Sequence, residues 1–321
     1  MDFLEKPSDR GYPVEYLLSR IKGRRARLIR DWKSLIYGGP LLESLASPQY
    51  RRQASIRSPE DVWGNLFKEY RWVYGQMNNE HRQIFQPFFL YSELRTICIC
   101  LRHMKENKGG PVNNLIEVSM LSEDIKQILT TSSDTTAAVA GLERIFSSLS
   151  KEFTGLGELF DAEGLRGIEQ RLTNTYLTYS MAAKMHPLMK AFFSRIIDAR
   201  NIMSLYKCLR LEIATPPVFL PSGSISVAKL QAVLRSGDLF GITSLIREFI
   251  GIRIDNPEPT LVEVSLYKGI TRYLRKEGKE PFGVGPLLDY LWRCSIEAMN
   301  LSMLFQGKDL EREAVIAELV Q

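Results

Sequence analysis

Histidine and cysteine are scarce in this chain, with three of one and four of the other in 321 residues. His81, His103 and His186 are scattered and have no partner at metal-ligand spacing, so no metal site is expected. Cys98, Cys100, Cys208 and Cys294 form no Cys-x-x-Cys pair and read as reduced, small, buried side chains. No Gly-x-x-x-x-Gly-Lys-Ser/Thr, Gly-x-Gly-x-x-Gly, Gly-x-Ser-x-Gly or His-Glu-x-x-His motif is present, and no cysteine or serine stands at a recognisable spacing from a histidine. Hence no catalytic residue, no cofactor-binding residue and no cofactor is expected. No apolar run approaches the roughly eighteen residues of a membrane span. The opening Met1-Asp2-Phe3-Leu4-Glu5-Lys6 has no signal-peptide character, so the expected location is cytoplasmic. Alternation of β-branched residues is also scarce, which leaves few or no strands and an all-α fold.

What the chain does have is the composition of a soluble globular protein, 45% hydrophobic and 25% charged, at a length that can bury several cores. Its most informative stretch is near the end. From Leu287 to Leu304 the large apolar residues recur close to the helical period, and Glu297 and Asn300, three apart, share one stripe of that helix. Pro286 lies eleven residues before Glu297, as Pro187 lies eleven before Asp198, which is followed by Asn201. Proline suits the first helical turn, where its missing N–H costs nothing. A third, weaker copy is Glu93 with Thr96, and Pro87 falls where the other copies have an apolar residue. The acids are spaced by 105 and 99 residues (198 minus 93, 297 minus 198), which predicts three related units, 1–109, 110–215 and 216–321. Polar residues on an apolar helix need partners, because an unpaired buried group costs roughly 1–3 kcal/mol. The acid-x-x-Asn pattern is therefore expected to be a structural clamp on a neighbouring helix.

Helical period is also read over 12–35, 59–74, 80–105, 158–182, 187–209, 226–235, 239–250, 260–277, 286–305 and 310–319, with further helices starting after Ser122 and ending at Phe146. Lys105 to Pro111 and Ala214 to Gly223 read as the two breaks between units. The first helix is the most basic stretch, with Arg20, Lys22, Arg24, Arg25, Arg27, Arg30 and Lys33. Arg20, Arg24 and Arg27 are candidate interface residues toward acidic protein, lipid headgroups or phosphate, against the alternative of a solvated face. Nucleic acid is not the expected partner: the net charge is only +5, and no aromatic residues interleave the basic ones.

The segment Glu280-Pro281-Phe282-Gly283-Val284-Gly285-Pro286 through Glu297-Ala298-Met299-Asn300-Leu301 to Gly307-Lys308, ending in Ala317-Glu318-Leu319-Val320, resembles the C-terminus of the C subunit of V/A-type ATPases, the equivalent of the eukaryotic d subunit. Tyr37-Gly38-Gly39, Asp198-Ala199-Arg200-Asn201-Ile202 and Phe219-Leu220-Pro221-Ser222-Gly223-Ser224-Ile225 match it further. The chain departs from the family at Ser222, where glycine is usual, at Ser302, where arginine is frequent, at Leu310-Glu311-Arg312, where Gly-Leu-Pro is frequent, and at Thr96, which replaces asparagine. The resemblance implies a non-catalytic funnel of three similar helical domains, pseudo-threefold in arrangement. Such a part sits on the membrane rotor ring at the cytoplasmic face, receives the central stalk and passes rotation between them for proton or sodium transport. It would be peripheral to the membrane through protein contacts. A helical scaffold or adaptor would share the composition and is separated by whether the protein co-purifies with other parts of the ATPase. An RNA-binding helical protein would be betrayed by salt-sensitive retention on nucleic acid.

Overall fold

The structure, a computed structural model, describes residues 3–7, 9–47, 50, 53, 55–106, 109–252, 258–307 and 311–321. The fold is all-α. Among the described residues there is no strand, only a single antiparallel bridge between Leu4 and Leu121. The helices are α1 (Val14–Arg25), α2 (Trp32–Tyr37), α3 (Leu41–Leu45), α4 (Pro59–Gln76), α5 (Asn79–Lys105), α6 (Gly109–Val118), α7 (Glu123–Thr131), α8 (Thr135–Phe146), α9 (Leu156–Ala182), α10 (Pro187–Arg210), α11 (Val227–Ser236), α12 (Leu239–Ile250), α13 (Pro259–Glu277), α14 (Val284–Gln306) and α15 (Arg312–Glu318).

The chain divides into two compact units, each made of two pieces. One comprises Met1–Pro13 and Phe67–Met189. Its centre is α5, packed against α6 and α9, with Tyr70, Phe85, Phe88 and Phe89 buried around it. Tyr70 meets Phe89 edge-on at 5.9 Å, and Phe3 packs on Phe146 at 5.3 Å. By length and composition α5 could cross a bilayer, contrary to the expectation that no segment would. Its most apolar window is, however, 61% buried inside this unit and carries the fully buried Glu93, the marks of a core helix. Pro87 sits inside α5, and the Tyr176 hydroxyl donates to the Pro87 carbonyl at 2.9 Å. α9 is interrupted at Gly164, whose φ of 66° lies outside the helical region.

The other unit comprises Val14–Leu66 and Lys190–Gln321. α14 is its axis, with α13 and α1 against it and α12 against α13. Leu287, Leu288, Leu291 and Trp292 are buried, and Trp292 packs edge-on against Phe192 at 5.7 Å while its indole N–H donates to Thr271 Oγ1 at 2.9 Å. Apolar burial of this kind stabilises each large side chain by about 1.5–3 kcal/mol.

Two helical readings change. The helix expected over 12–35 is two helices, because the chain turns at Ala26–Asp31 and Asp31 starts α2 by accepting from Ser34 N at 2.9 Å. The stretch from Lys105 to Pro111, read as a linker, instead ends α5 and opens α6 at Gly109, while 107–108 lie outside the described residues. Pro111 is the third residue of α6, where a missing N–H breaks no helical hydrogen bond.

Candidate functional site

Each singled-out acid lies mid-helix and faces inward, and each binds a non-helical segment rather than a neighbouring helix. In α5, Glu93 is fully buried. Its Oε1 accepts from Met120 N at 2.7 Å and its Oε2 from Ser119 Oγ at 2.8 Å, while Ser119 Oγ accepts from Leu121 N at 3.1 Å. The same turn is tied to the N-terminal residues: Glu5 N donates to Met120 O and Ser122 N to Phe3 O, both at 2.8 Å. Burial pushes the Glu93 carboxyl up, opposed by the donors at Met120, Ser119 and Thr96 and by Lys126.

In α10, Asp198 binds the loop before α11. Its Oδ1 accepts from Ile225 N at 3.0 Å, and its Oδ2 from Ser224 N at 3.0 Å and from Ser224 Oγ. Burial again raises the carboxyl, and the three donors lower it. Gly223 lets the loop approach this closely, since a Cβ there would stand 2.2 Å from Asp198 Oδ1. One turn on, Asn201 pairs with the backbone of one residue: Nδ2 donates to Leu220 O at 2.9 Å and Leu220 N donates to Oδ1 at 2.8 Å. Asp198 and Asn201 thus fasten both ends of Leu220–Ile225 to α10.

α14 repeats half of this. Asn300 pairs in the same way with Val320, Nδ2 to O at 2.9 Å and N to Oδ1 at 3.1 Å. Glu297 does not follow suit. In the first two cases the acid's backbone partners lie 26 or 27 residues downstream. Glu297 Oε2 instead accepts from Ile29 N at 2.7 Å, and Oε1 from Gln53 Nε2 at 3.1 Å. The N-terminal piece of this unit occupies the position that a downstream loop fills elsewhere. Thr96 is buried at the place of Asn201 and Asn300, but a hydroxyl cannot present the paired donor and acceptor of a carboxamide.

Of the candidate interface residues, Arg20 and Arg27 are exposed and Arg24 is half-buried. Arg20 lies over the Tyr16 ring, 5.9 Å from its centroid. The basic residue that reaches inward is Arg25, which pairs with the buried Asp289. Sequence reasoning did not single it out, although Asp289 on an apolar helix with Arg293 one turn on is a readable signal.

Among the described residues no three His, Cys, Asp or Glu side chains converge. The Cys98 and Cys100 thiols are pushed up to about 12 by burial, which suppresses the thiolate a nucleophile requires. A cleft of about 550 Å³ in the Met1–Pro13 and Phe67–Met189 unit is lined by Asn113, Thr130, Ser132, Asp134 and Thr135, among others. Asp134 there is committed to capping α8 at Ala137 N, 2.8 Å away. The polar groups of these sites hold backbone in place.

The chain belongs to the ATP synthase (C/AC39) subunit family, whose model matches residues 54–319. It is similar to the C subunit of the V-type ATP synthase of Deinococcus radiodurans, 24% identical over 264 residues covering 79% of this chain and 72% of that protein. It is also similar to the C subunit of the A-type ATP synthase of Methanocaldococcus jannaschii, 22% identical over 341 aligned residues covering 92% of this chain and 83% of that protein.

The departure at Ser222 has a measurable cost. Ser222 has a φ of 70°, left-handed for a residue with a Cβ, where glycine avoids a strain of roughly 1–2 kcal/mol. Ser222→Gly gives back part of that gain through the greater freedom of the unfolded chain. A net stabilisation of up to about 1 kcal/mol is expected, read as a rise in the urea midpoint at unchanged slope. A midpoint at or below that of the wild type would mean that the strain is relieved by contacts the serine itself makes.

Proposed function

We propose that this protein is the non-catalytic connector of a V/A-type rotary ATPase, coupling the central stalk to the membrane rotor ring during proton or sodium transport. Family membership over residues 54–319 carries this assignment. Its partners would be the stalk and ring proteins of the complex, and its place the cytoplasmic face of the membrane, held there by protein contacts. We further propose three helical repeats, 1–109, 110–215 and 216–321, arranged about a pseudo-threefold axis as a funnel, with the third completed by the N-terminal piece that meets Glu297.

A part that transmits torque needs stiffness. The double fastening of Leu220–Ile225 to α10, and of Val320 and Ile29 to α14, supports such a role because loops bound at buried carboxylates and amides cannot swing independently of the helices. Arg20, Arg24 and Arg27 would assist attachment electrostatically.

Purified protein is expected to co-elute on a sizing column with detergent-solubilised rotor ring, and separately with the stalk proteins. The ring complex should weaken with salt without disappearing, since exposed charges are screened over about 10 Å at 0.1 M salt. Calorimetry should detect no ATP binding. Failure to bind either ring or stalk, alongside retention of RNA or of an unrelated protein, would overturn the assignment in favour of a scaffold.

A further inference from the structure

Away from the clamps, positive charge gathers at one place in the unit built of Val14–Leu66 and Lys190–Gln321. Asp289 is fully buried in α14, and two arginines hold its carboxylate. Arg293 lies one turn on, with Nε to Oδ1 at 2.9 Å, and Arg25 closes α1, with Nη2 to Oδ2 at 2.9 Å. Their side chains are 23% and 29% exposed, so both reach the surface from this buried anion. Arg275 of α13 and Arg30, after α1, also act on Arg25 and are exposed. Burial, and then repulsion by Arg293, Arg275 and Arg30, lowers the Arg25 pKa, while Asp289 alone of the charges acting on it raises it.

Two guanidiniums thus share one carboxylate, and two more arginines act on Arg25, a surplus that an incoming anion relieves. Guanidinium is the planar donor that grips a carboxylate at two points. Beside the cluster, Gly278 packs so closely on Asp289 that a Cβ would lie 2.7 Å from the Asp289 Cβ. This seats Gly278 against the residue that Arg25 and Arg293 grip, and Phe282, four residues on in the same turn, is 69% exposed. Exposed aromatic and arginine side chains are the composition of an interface hot spot.

We propose that Arg25, Arg30, Arg275 and Arg293, with Phe282 beside them, form a docking surface for an acidic segment of a partner protein that carries apolar residues among its carboxylates. A bilayer would be met by protruding lysines and an amphipathic face. Here the two central guanidiniums are recessed and fixed by a buried carboxylate, which suits a single side chain better than a fluid layer of headgroups. Charge, not membership of a rotary complex, selects the partner, so co-elution with ring and stalk can fail while this surface still binds.

The test uses the full chain and a fluorescein-labelled peptide of alternating glutamate and leucine, with its glutamine counterpart as control. Arg30→Glu with Arg275→Glu reverses two exposed charges and leaves the buried pairs intact. Lys151→Glu with Arg166→Glu makes the same change of net charge elsewhere. The cluster variant is expected to bind the peptide at least about tenfold more weakly than the wild type, the control variant within about twofold, and Phe282→Ala several-fold more weakly. The glutamine peptide should not bind. Absence of peptide binding, equal losses in the two double variants, or capture of phosphatidylcholine–phosphatidylserine vesicles in place of the peptide would overturn the proposal.

Discussion

Asp198→Asn is expected to destabilise the protein by about 2–4 kcal/mol, although the two side chains match in size. Both Asp198 oxygens accept: Ile225 N on one, Ser224 N and Ser224 Oγ on the other. A carboxamide offers one oxygen, and its NH2 would face a backbone N–H, leaving one buried donor unpaired and two donors opposed. Rotating the amide moves the clash without removing it. Glu93→Gln should behave differently and cost about 1 kcal/mol or less, because only one of its partners is a backbone N–H and the others, the Ser119 and Thr96 hydroxyls, can accept as well as donate. Urea unfolding of both variants at neutral pH checks the contrast, and equal losses would show that burial, not donor count, sets the cost. The pH dependence has the same sign for both sites, because burial raises both carboxyls. The Glu93 carboxyl is raised in the fold, so its contribution is fully present below the unfolded pKa and fades as pH rises through the folded one. The wild type should therefore gain stability relative to Glu93→Gln as pH falls from neutrality toward the ordinary carboxylate range.

Glu297→Ala is expected to cost about 2–5 kcal/mol and to loosen one segment in particular. It removes the acceptor of Ile29 N and of Gln53 Nε2, both in buried residues, and these partners come from a piece of chain 268 and 244 residues away. Closing a loop of 268 residues costs about 2 kcal/mol more than closing one of 26, by the logarithmic dependence on length. The contact at Glu297 is thus the one whose loss the unfolded chain favours most. In hydrogen exchange, the Ile29 amide should lose protection well beyond the change in global stability, while the Asp198-bound amides of Ser224 and Ile225 follow the global change. Uniform loss at all three would mean that the N-terminal piece is held by α1 packing alone.

The sequence made the long helices legible because their apolar period is strong, as in α10 and α14, and their starts carry proline or an Asp or Asn cap. It did not make the break in the first helix legible. Nothing local between Arg25 and Trp32 forbids helix; the turn there leaves Ile29 N free to meet Glu297, a partner far along the chain. α6 was missed for the opposite reason: Gly109-Gly110-Pro111 is locally a breaker, yet all three fit a first turn. The period also places Asp198, Asn201, Glu297 and Asn300 on apolar helices. It carries no trace of Leu220, Ser224, Val320 or Gln53 as their partners, because loop backbone binds through groups that every residue has. Arg25 and Arg27 look alike in sequence, and only the position of Asp289 distinguishes them.

The pairing of Ile29 with Glu297 also bears on how the protein is made. Chain elongation at about 5–20 residues per second separates the two residues by roughly 15 to 50 s on the ribosome. Glu93 meets Ser119 and Met120, and Asp198 meets Ser224 and Ile225, within a few seconds of emerging. Leu17 and Ile21 of α1, by contrast, are buried in the fold in a helix that packs against α14, so they emerge long before their cover. The apolar face of α1 therefore stays open to other chains through that interval, while the loops bound at Glu93 and Asp198 close soon after they are made.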